Sequence, residues 1–171
     1  MNLAETLGCR LRAPNPLQRA VQTVAATRVG STVFSRTLPT LDSVAQRVTG
    51  RTLPEVLAAL PVVELTTTGR RSGRPRTSYL VAIPHEGGLG VIGTNFGQSD
   101  TPGWVHNLEA DPRATVSHHG VSVPVVARPA TADERERIMA LADRTYDGYR
   151  AYRQRITGRH VRVFVLEPGE G

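Results

Sequence analysis

Val62-Val63-Glu64-Leu65-Thr66-Thr67-Thr68-Gly69-Arg70-Arg71-Ser72-Gly73-Arg74-Pro75-Arg76 is the stretch that decides the fold. A β-branched run is followed by a glycine-bounded turn, and the chain then resumes a second β-like run through Thr77, Ser78 and Tyr79. Branched side chains fit a pleated, half-buried surface and glycines mark the reversal, so the segment reads as a β-hairpin. Working outward from it, further strands are expected at 76–83, 89–94, 113–118, 121–127 and 161–166. Pro84-His85-Glu86-Gly87-Gly88 and His119-Gly120 supply hairpin turns between antiparallel neighbours. Helical signals are interposed. Thr101-Pro102 opens a helix through Leu108 with Thr101 as N-cap, and the capping box Thr131-Ala132-Asp133-Glu134 opens the longest one. A tyrosine-bearing segment at 146–156 precedes the last strand. About six short antiparallel strands with inserted helices indicate an α+β protein built on a compact barrel.

Upstream of the hairpin the texture differs. Residues 1–16 are polar and interrupted by proline, and are expected to be loose. Leu17, Ala20, Val21, Val24 and Arg28 then recur at helical spacing, with Gln18, Arg19 and Gln22 on the opposite side. Further helices are expected after Pro39, with Leu41, Val44, Ala45 and Val48 on one face, and from Thr52-Leu53-Pro54-Glu55 up to Pro61. The chain thus divides into a helical N-terminal extension over 1–60, packed on the barrel, and a catalytic body over 61–171.

All 21 basic residues of the 171 are arginine, and the net charge is +6. Guanidinium forks match phosphate and carboxylate geometry and stay charged near neutrality, so anionic ligands are favoured. Cys9 is the only cysteine, which excludes an intrachain disulfide and a thiolate cage and suits a reducing, cytoplasmic setting. Nothing approaches a membrane-spanning apolar run. The histidines show no metal-ligand spacing, so no metal is assigned.

The densest chemical feature is Gly69-Arg70-Arg71-Ser72-Gly73-Arg74-Pro75-Arg76, four arginines and one hydroxyl in a turn. It reads either as an anion cradle or as a solvated basic hairpin; it is neither a Walker loop nor a dinucleotide fingerprint. Thr94-Asn95-Phe96-Gly97-Gln98-Ser99-Asp100 leads into a helix N-terminus, whose free N–H groups attract anions. Trp104, the only tryptophan, reads first as core filling. Tyr146, Tyr149 and Tyr152 recur at steps of three, as an aromatic wall with hydroxyls facing a pocket or as plain packing.

Leu65-Thr66-Thr67-Thr68-Gly69-Arg70-Arg71-Ser72-Gly73, Arg76, Pro102-Gly103-Trp104 with His106-Asn107-Leu108, the three tyrosines and Leu166-Glu167-Pro168 occur in that order. The set resembles the deazaflavin-dependent nitroreductase and quinone reductase family. The resemblance implies a split β-barrel, related to those that hold FMN, using the deazaflavin coenzyme F420 to reduce quinones, nitroaromatics or activated enoic compounds. By position, Arg70, Arg71 and Ser72 would take the coenzyme's phosphate and glutamyl tail, with Arg76, Thr77, Ser78 and Tyr79 continuing along the strand. Thr94 and Asn95 would approach the ring, and Trp104, His106 and Asn107 would close over the coenzyme. Tyr149, helped by Tyr146 and Tyr152, would line the acceptor side as the catalytic group. The nearest alternatives are an FMN-binding oxidoreductase and a non-catalytic deazaflavin carrier. A nucleic-acid partner is disfavoured, because no basic–aromatic strand pattern accompanies the charge. A homodimer and a peripheral membrane contact through the Leu17–Arg28 helix remain open.

Overall fold

The computed structural model describes residues 2–11, 15–27, 60–146 and 148–169. The helices expected after Pro39 and at Thr52–Glu55 lie outside the described residues. A seven-stranded sheet organises the rest: β1 (Val62–Thr68), β2 (Pro75–Val81), β3 (Ile83–His85), β4 (Gly88–Ile92), β5 (Arg113–His118), β6 (Val121–Pro129) and β7 (Val163–Pro168). Every pairing is antiparallel, and the order is β2-β1-β5-β6-β7-β4-β3. The single strand expected over 76–83 is two strands. Ala82 breaks it, β2 pairs with β1, and β3 pairs with β4 at the opposite end of the sheet. Two strands separated by one residue thus form the sheet's two edges, so the sheet must curl until those edges meet. Ala82 sits buried at the corner and donates its N–H to the Pro61 carbonyl at 2.9 Å.

The hairpin turns form as expected, with Glu86 and Gly87 at φ 45° and 86° and His119 and Gly120 at φ 48° and 79°. Two positive φ values in a two-residue loop match the right-handed strand twist. Inside the curl, alternate residues of the strands meet: Val63 and Leu65, Leu89 and Val91, Val116, Val123 and Val125, and Phe164 and Leu166. The other face of β4 and β7 is covered by α4 (Ala132–Thr145) and α5 (Gly148–Arg155), which place Ile138, Ala142 and the tyrosines against Ile92, Val163 and Val165. Leu89–Ile92 of β4 and Val163–Leu166 of β7 are therefore buried on both faces, which explains their apolar spelling.

The N-terminus is not loose. Leu3–Thr6 forms α1, capped by Asn2, and Leu3, Ala4, Leu7 and Cys9 belong to the barrel core. The Leu3 N–H donates to the Gly87 carbonyl at 2.7 Å, and buried His118 holds the Leu7 carbonyl through Nδ1 at 2.6 Å. Tertiary burial stabilises a segment too short to hold a helix by itself. The next helix, α2 (Pro16–Ala26), begins at a reciprocal pair not anticipated from the sequence: Asn15 N–H to Gln18 Oε1 at 2.9 Å and Gln18 N–H to Asn15 Oδ1 at 2.8 Å. Its buried side was also misread. Gln22 is buried, whereas Leu17 is 74% exposed. The helix packs on α5, so a polar residue faces the protein.

The capping box on α4 is complete and is extended by charge. Thr131 Oγ1 accepts from the Glu134 N–H, Glu134 accepts from the Thr131 N–H, and Arg128 forks onto both Glu134 oxygens at 2.7 Å. Arg128 Nε also reaches Glu167 at 2.9 Å. The Arg128 guanidinium, with the Thr131 N–H, holds the Glu134 carboxyl well below the ordinary carboxylate range. Because the folded value is depressed, this stabilisation is complete above the unfolded pKa of about 4.3 and fades as pH falls towards the folded value. Glu134→Gln is expected to cost about 2 kcal/mol, or roughly 4–8 °C of thermal midpoint, at neutral pH. The gap from the parent protein should narrow steadily below about pH 4. Thermal melts across pH check this, and a gap that widens on acidification would contradict it.

Candidate coenzyme site

The turn between β1 and β2 is held by its own backbone. The Gly69 N–H donates to the Arg74 carbonyl at 2.9 Å, and the Ser72 and Gly73 N–H groups both reach the Gly69 carbonyl, at 3.1 and 2.7 Å. Gly73 adopts φ 63°, which favours glycine, and a Cβ on Gly69 would crowd the Arg74 carbonyl at 3.1 Å. Arg70, Arg71, Ser72, Arg74, Arg76 and Thr77 are all exposed. Among the described residues no carboxylate pairs with any of the four guanidiniums. Beyond the turn, Ser78 and Tyr79 are half-buried on β2, and Thr77 shares a 2.9 Å hydroxyl contact with Thr66.

Beneath the arginines lies a buried amide. Asn107, on α3 (Gly103–Ala110), is 8% exposed; its Oδ1 accepts from the Arg70 N–H at 3.0 Å and its Nδ2 donates to Thr67 Oγ1 at 2.9 Å. Thr67 is the last inward position of β1, and its hydroxyl donates to the Arg76 carbonyl at 3.3 Å. The structure therefore places Asn107 beneath the turn, with its oxygen and nitrogen both engaged by the protein. Trp104, on the same helix, is core material, edge-on to Phe164 at 6.0 Å. His106 is half-exposed and lies 3.4 Å from Glu109. The helix starts at Gly103 with Pro102 at the cap and no side-chain cap bond, not from Thr101 as expected.

The second element is the Thr94–Gln98 loop after β4. Asn95, Phe96 and Gly97 stand consecutively at φ 48°, 54° and 79°. For the two side-chain-bearing residues this conformation costs about 1–2 kcal/mol each, and such strain persists where the surroundings enforce it. Asn95 Nδ2 donates to the Asp100 carbonyl at 3.0 Å, and Thr94 is buried. Arg159 forks onto the Gly93 and Thr94 carbonyls at 3.0 and 3.1 Å and onto the Gln98 carbonyl at 3.1 Å. Arg159 was missed in the sequence; the only signal was an arginine behind a turn glycine, Gly158.

The tyrosines do not form a single helical stripe. Tyr146 is the extended C-cap of α4, while Tyr149 and Tyr152 lie on α5. They still converge. The Tyr146 and Tyr152 hydroxyls are 2.8 Å apart, and the Tyr146 ring meets Tyr149 and Tyr152 edge-on at 5.8 and 5.9 Å. All three are buried in the second apolar cluster. Burial pushes the phenols of all three upward, so they are neutral throughout the physiological range. Tyr152 also meets Phe96 edge-on at 6.2 Å, and a Cβ on Gly97 would lie 3.2 Å from Tyr152 Cα. The structure thus gathers the tyrosines against the Thr94–Gln98 loop, and Asn107 against the arginine turn. Helix α3 links the two groups, since Val105 and Trp104 pack against Gly93 at the loop's base.

One cluster among the described residues has metal-ligand chemistry, His85 with Glu86 and Glu134, whose ligand atoms lie within 4.8 Å of one another. Its carboxylates are engaged by arginine, Glu134 by Arg128 and Glu86 by Arg137 at 3.0 Å, which opposes a cation there.

A model of the F420H(2)-dependent quinone reductase family matches residues 38–168. The chain belongs to that family. It is an oxidoreductase whose coenzyme is reduced F420. An F420H(2)-dependent quinone reductase of Mycobacterium tuberculosis is 27% identical over 128 residues, covering 73% of this chain and 85% of that one. A solved F420-H2 dependent reductase is 31% identical, covers 63% of this chain and 94% of its own, and superposes with a TM-score of 0.57. A solved domain-swapped dimer is 27% identical, covering 80% of this chain and 98% of that one with a TM-score of 0.58. The curled sheet is accordingly a split barrel.

Asn107→Ala removes the only partner described for the Arg70 N–H. It is expected to destabilise the protein by about 1–3 kcal/mol and to speed amide exchange at Arg70 and Arg71 relative to the barrel strands. Exchange at Arg70 that stays at the parent rate would show that the turn is held by its own backbone alone.

Proposed function

We propose that the protein passes a hydride from reduced F420 to a quinone, with the coenzyme's tail on the arginine turn and its ring at the Thr94–Gln98 loop. The observation that carries this reading is the set of four exposed guanidiniums, unpaired among the described residues, on a turn pinned from below by Asn107. FMN offers a single phosphate. Four arginines exceed what one phosphate needs and suit a phosphate followed by glutamyl carboxylates. When bound, the reduced deazaflavin supplies a hydride, leaving one proton to be delivered to the acceptor.

The chain's own residues bind, orient and shield. Arg70, Arg71, Ser72 and Arg76 hold the tail, with Thr77, Ser78 and Tyr79 further along the strand. Thr94 and Asn95 meet the ring, while Trp104, His106 and Asn107 fix the helix that joins the two subsites. Tyr149 faces the acceptor, with Tyr146 and Tyr152 behind it locked hydroxyl to hydroxyl. Because burial raises the phenol of Tyr149, it acts as a neutral hydrogen-bond donor that orients the acceptor, and solvent supplies the proton. Nitroaromatic and activated enoic acceptors present the same kind of electrophile and belong to the same acceptor class.

An N-terminal extension over 1–60, whose Leu3, Leu7 and Cys9 enter the barrel core, serves a coenzyme-binding body over 61–171 that works in the cytoplasm. The domain-swapped dimer among its structural relatives supports a homodimer here. No helix of the described residues is long and apolar enough to cross a membrane. The exposed Leu17 on α2 is the feature that favours a peripheral contact with the lipid in which quinones dissolve.

Two variants separate tail binding from turnover. Replacing Arg70 and Arg71 by Ala is expected to weaken F420 binding at least tenfold, since each charge-assisted contact is worth about 1.5–3 kcal/mol, with the thermal midpoint unchanged. Retained affinity, or tighter binding of FMN than of F420, would overturn the assignment. Tyr149→Phe should leave F420 affinity intact and lower kcat/KM for a quinone by roughly ten- to a hundredfold. A lowered thermal midpoint beside an unaltered rate would return Tyr149 to the core.

A further inference from the structure

The segment between α5 and β7 meets the Thr94–Gln98 loop at several points. Arg159 places Nη1 on the Gly93 carbonyl and Nη2 on those of Thr94 and Gln98. Three residues later, the Arg162 carbonyl accepts the Gly93 N–H at 2.8 Å, and the Arg162 guanidinium is itself held by Glu109 at 3.1 Å. Gly158, at φ 77°, turns the chain immediately before Arg159. The loop's far side rests on α5 through Phe96 and Gly97. It is therefore clamped between one guanidinium and one helix.

Arg159 differs from most of the described arginines, its nearest parallel being Arg135, which donates to the single Val161 carbonyl. Arg113, Arg128, Arg137, Arg153 and Arg162 all pair with carboxylates. Arg159 donates to main-chain oxygens, and its Nε is buried without a hydrogen-bond partner among the described residues. A guanidinium fork can bridge carbonyls from both ends of a loop at once, which an ammonium on a flexible stem cannot do in a fixed geometry. The loop so held contains three successive left-handed residues, a conformation that relaxes unless something enforces it.

We infer that Arg159 is a positioning residue for the coenzyme ring, fixing the strained Thr94–Gly97 backbone in its binding-competent form before the coenzyme arrives. This rests on the reading that Thr94 and Asn95 face the ring. Removing the clamp releases the loop into other conformations, and apparent affinity falls in proportion to the competent fraction that remains. The effect belongs to the ring subsite and not to the arginine turn.

The test uses the full-length protein, its Arg159→Met and Arg159→Lys variants, and two ligands, F420 and the deazaflavin lacking the phosphate and glutamyl tail. In the free Arg159→Met protein, amide exchange over residues 93–98 should rise while exchange in β1, β5 and β6 stays at the parent rate. Affinity for both ligands should fall by the same factor, about tenfold for a tenfold loss of competent population. Arg159→Lys, which keeps the charge and some carbonyl contact, should recover part of the loss and also covers the case in which the Met variant folds poorly. Unchanged exchange over 93–98 in both variants would overturn the clamp. Faster exchange with unchanged affinity for the tail-less ligand would overturn the role in ring positioning. The underlying site reading is judged separately in the parent protein: if F420 gives no protection over 93–98, that reading fails whatever Arg159 does.

Discussion

The fold depends on a covalent constraint at Val81-Ala82-Ile83. Two strands joined by one residue cannot sit at opposite edges of a flat seven-stranded sheet, so the sheet curls until its edges meet. Curling makes one face an interior, filled by alternate strand residues, α3 and the N-terminal Leu3 and Leu7, and the other a wall on which α4 and α5 lie. It also creates a mouth, where the inward row of β1 ends in Thr67 instead of an aliphatic residue. A hydroxyl at that position needs a partner once buried, and the Asn107 amide supplies one while its oxygen holds the Arg70 N–H. The arginine turn is thereby tied to the barrel and to α3 by the same side chain.

Two electrostatically different regions result. The Gly69–Arg76 turn is cationic, exposed and without counter-charge among the described residues, so an anionic ligand loses little on binding and gains charge-assisted hydrogen bonds. The tyrosine cluster is neutral and dry, its phenols held protonated by burial. In the proposed arrangement a deazaflavin with an acidic tail uses both kinds of surface, one to anchor charge and one to keep water from the transferring hydride. Helix α3 keeps them in register, because Asn107 touches the turn and Val105 and Trp104 touch the base of the Thr94–Gln98 loop.

Much of this was legible in the residues. The β-branched run before Gly69 and the capping box at Thr131 carry their structures in local chemistry, and five of the seven strands follow the expected runs. The break at Ala82 was not legible, because an alanine among β-formers carries no local signal and the corner exists only through pairing at opposite edges. The burial of Leu3 and of Gln22 is likewise tertiary: an isolated turn of helix and a polar residue on an amphipathic helix both read as surface. The tyrosine spacing suggested one helix face, yet Tyr146 arrives from outside α5 and meets Tyr152 through its hydroxyl. Arg159 lies more than sixty positions from the carbonyls it binds, so no window of sequence contains the interaction.

The central claim is spatial: one coenzyme spans the arginine turn and the strained loop, on the two ends of a path joined by α3. A crystal structure of the complex with F420 tests it most directly. The account predicts the phosphate and glutamyl carboxylates within hydrogen-bond reach of Arg70, Arg71, Ser72 and Arg76, the ring against Thr94 and Asn95, and Asn107 still bonded to Thr67 and Arg70. A coenzyme whose tail leaves those arginines in solvent, or whose ring lies away from the Thr94–Gly97 loop, would contradict it.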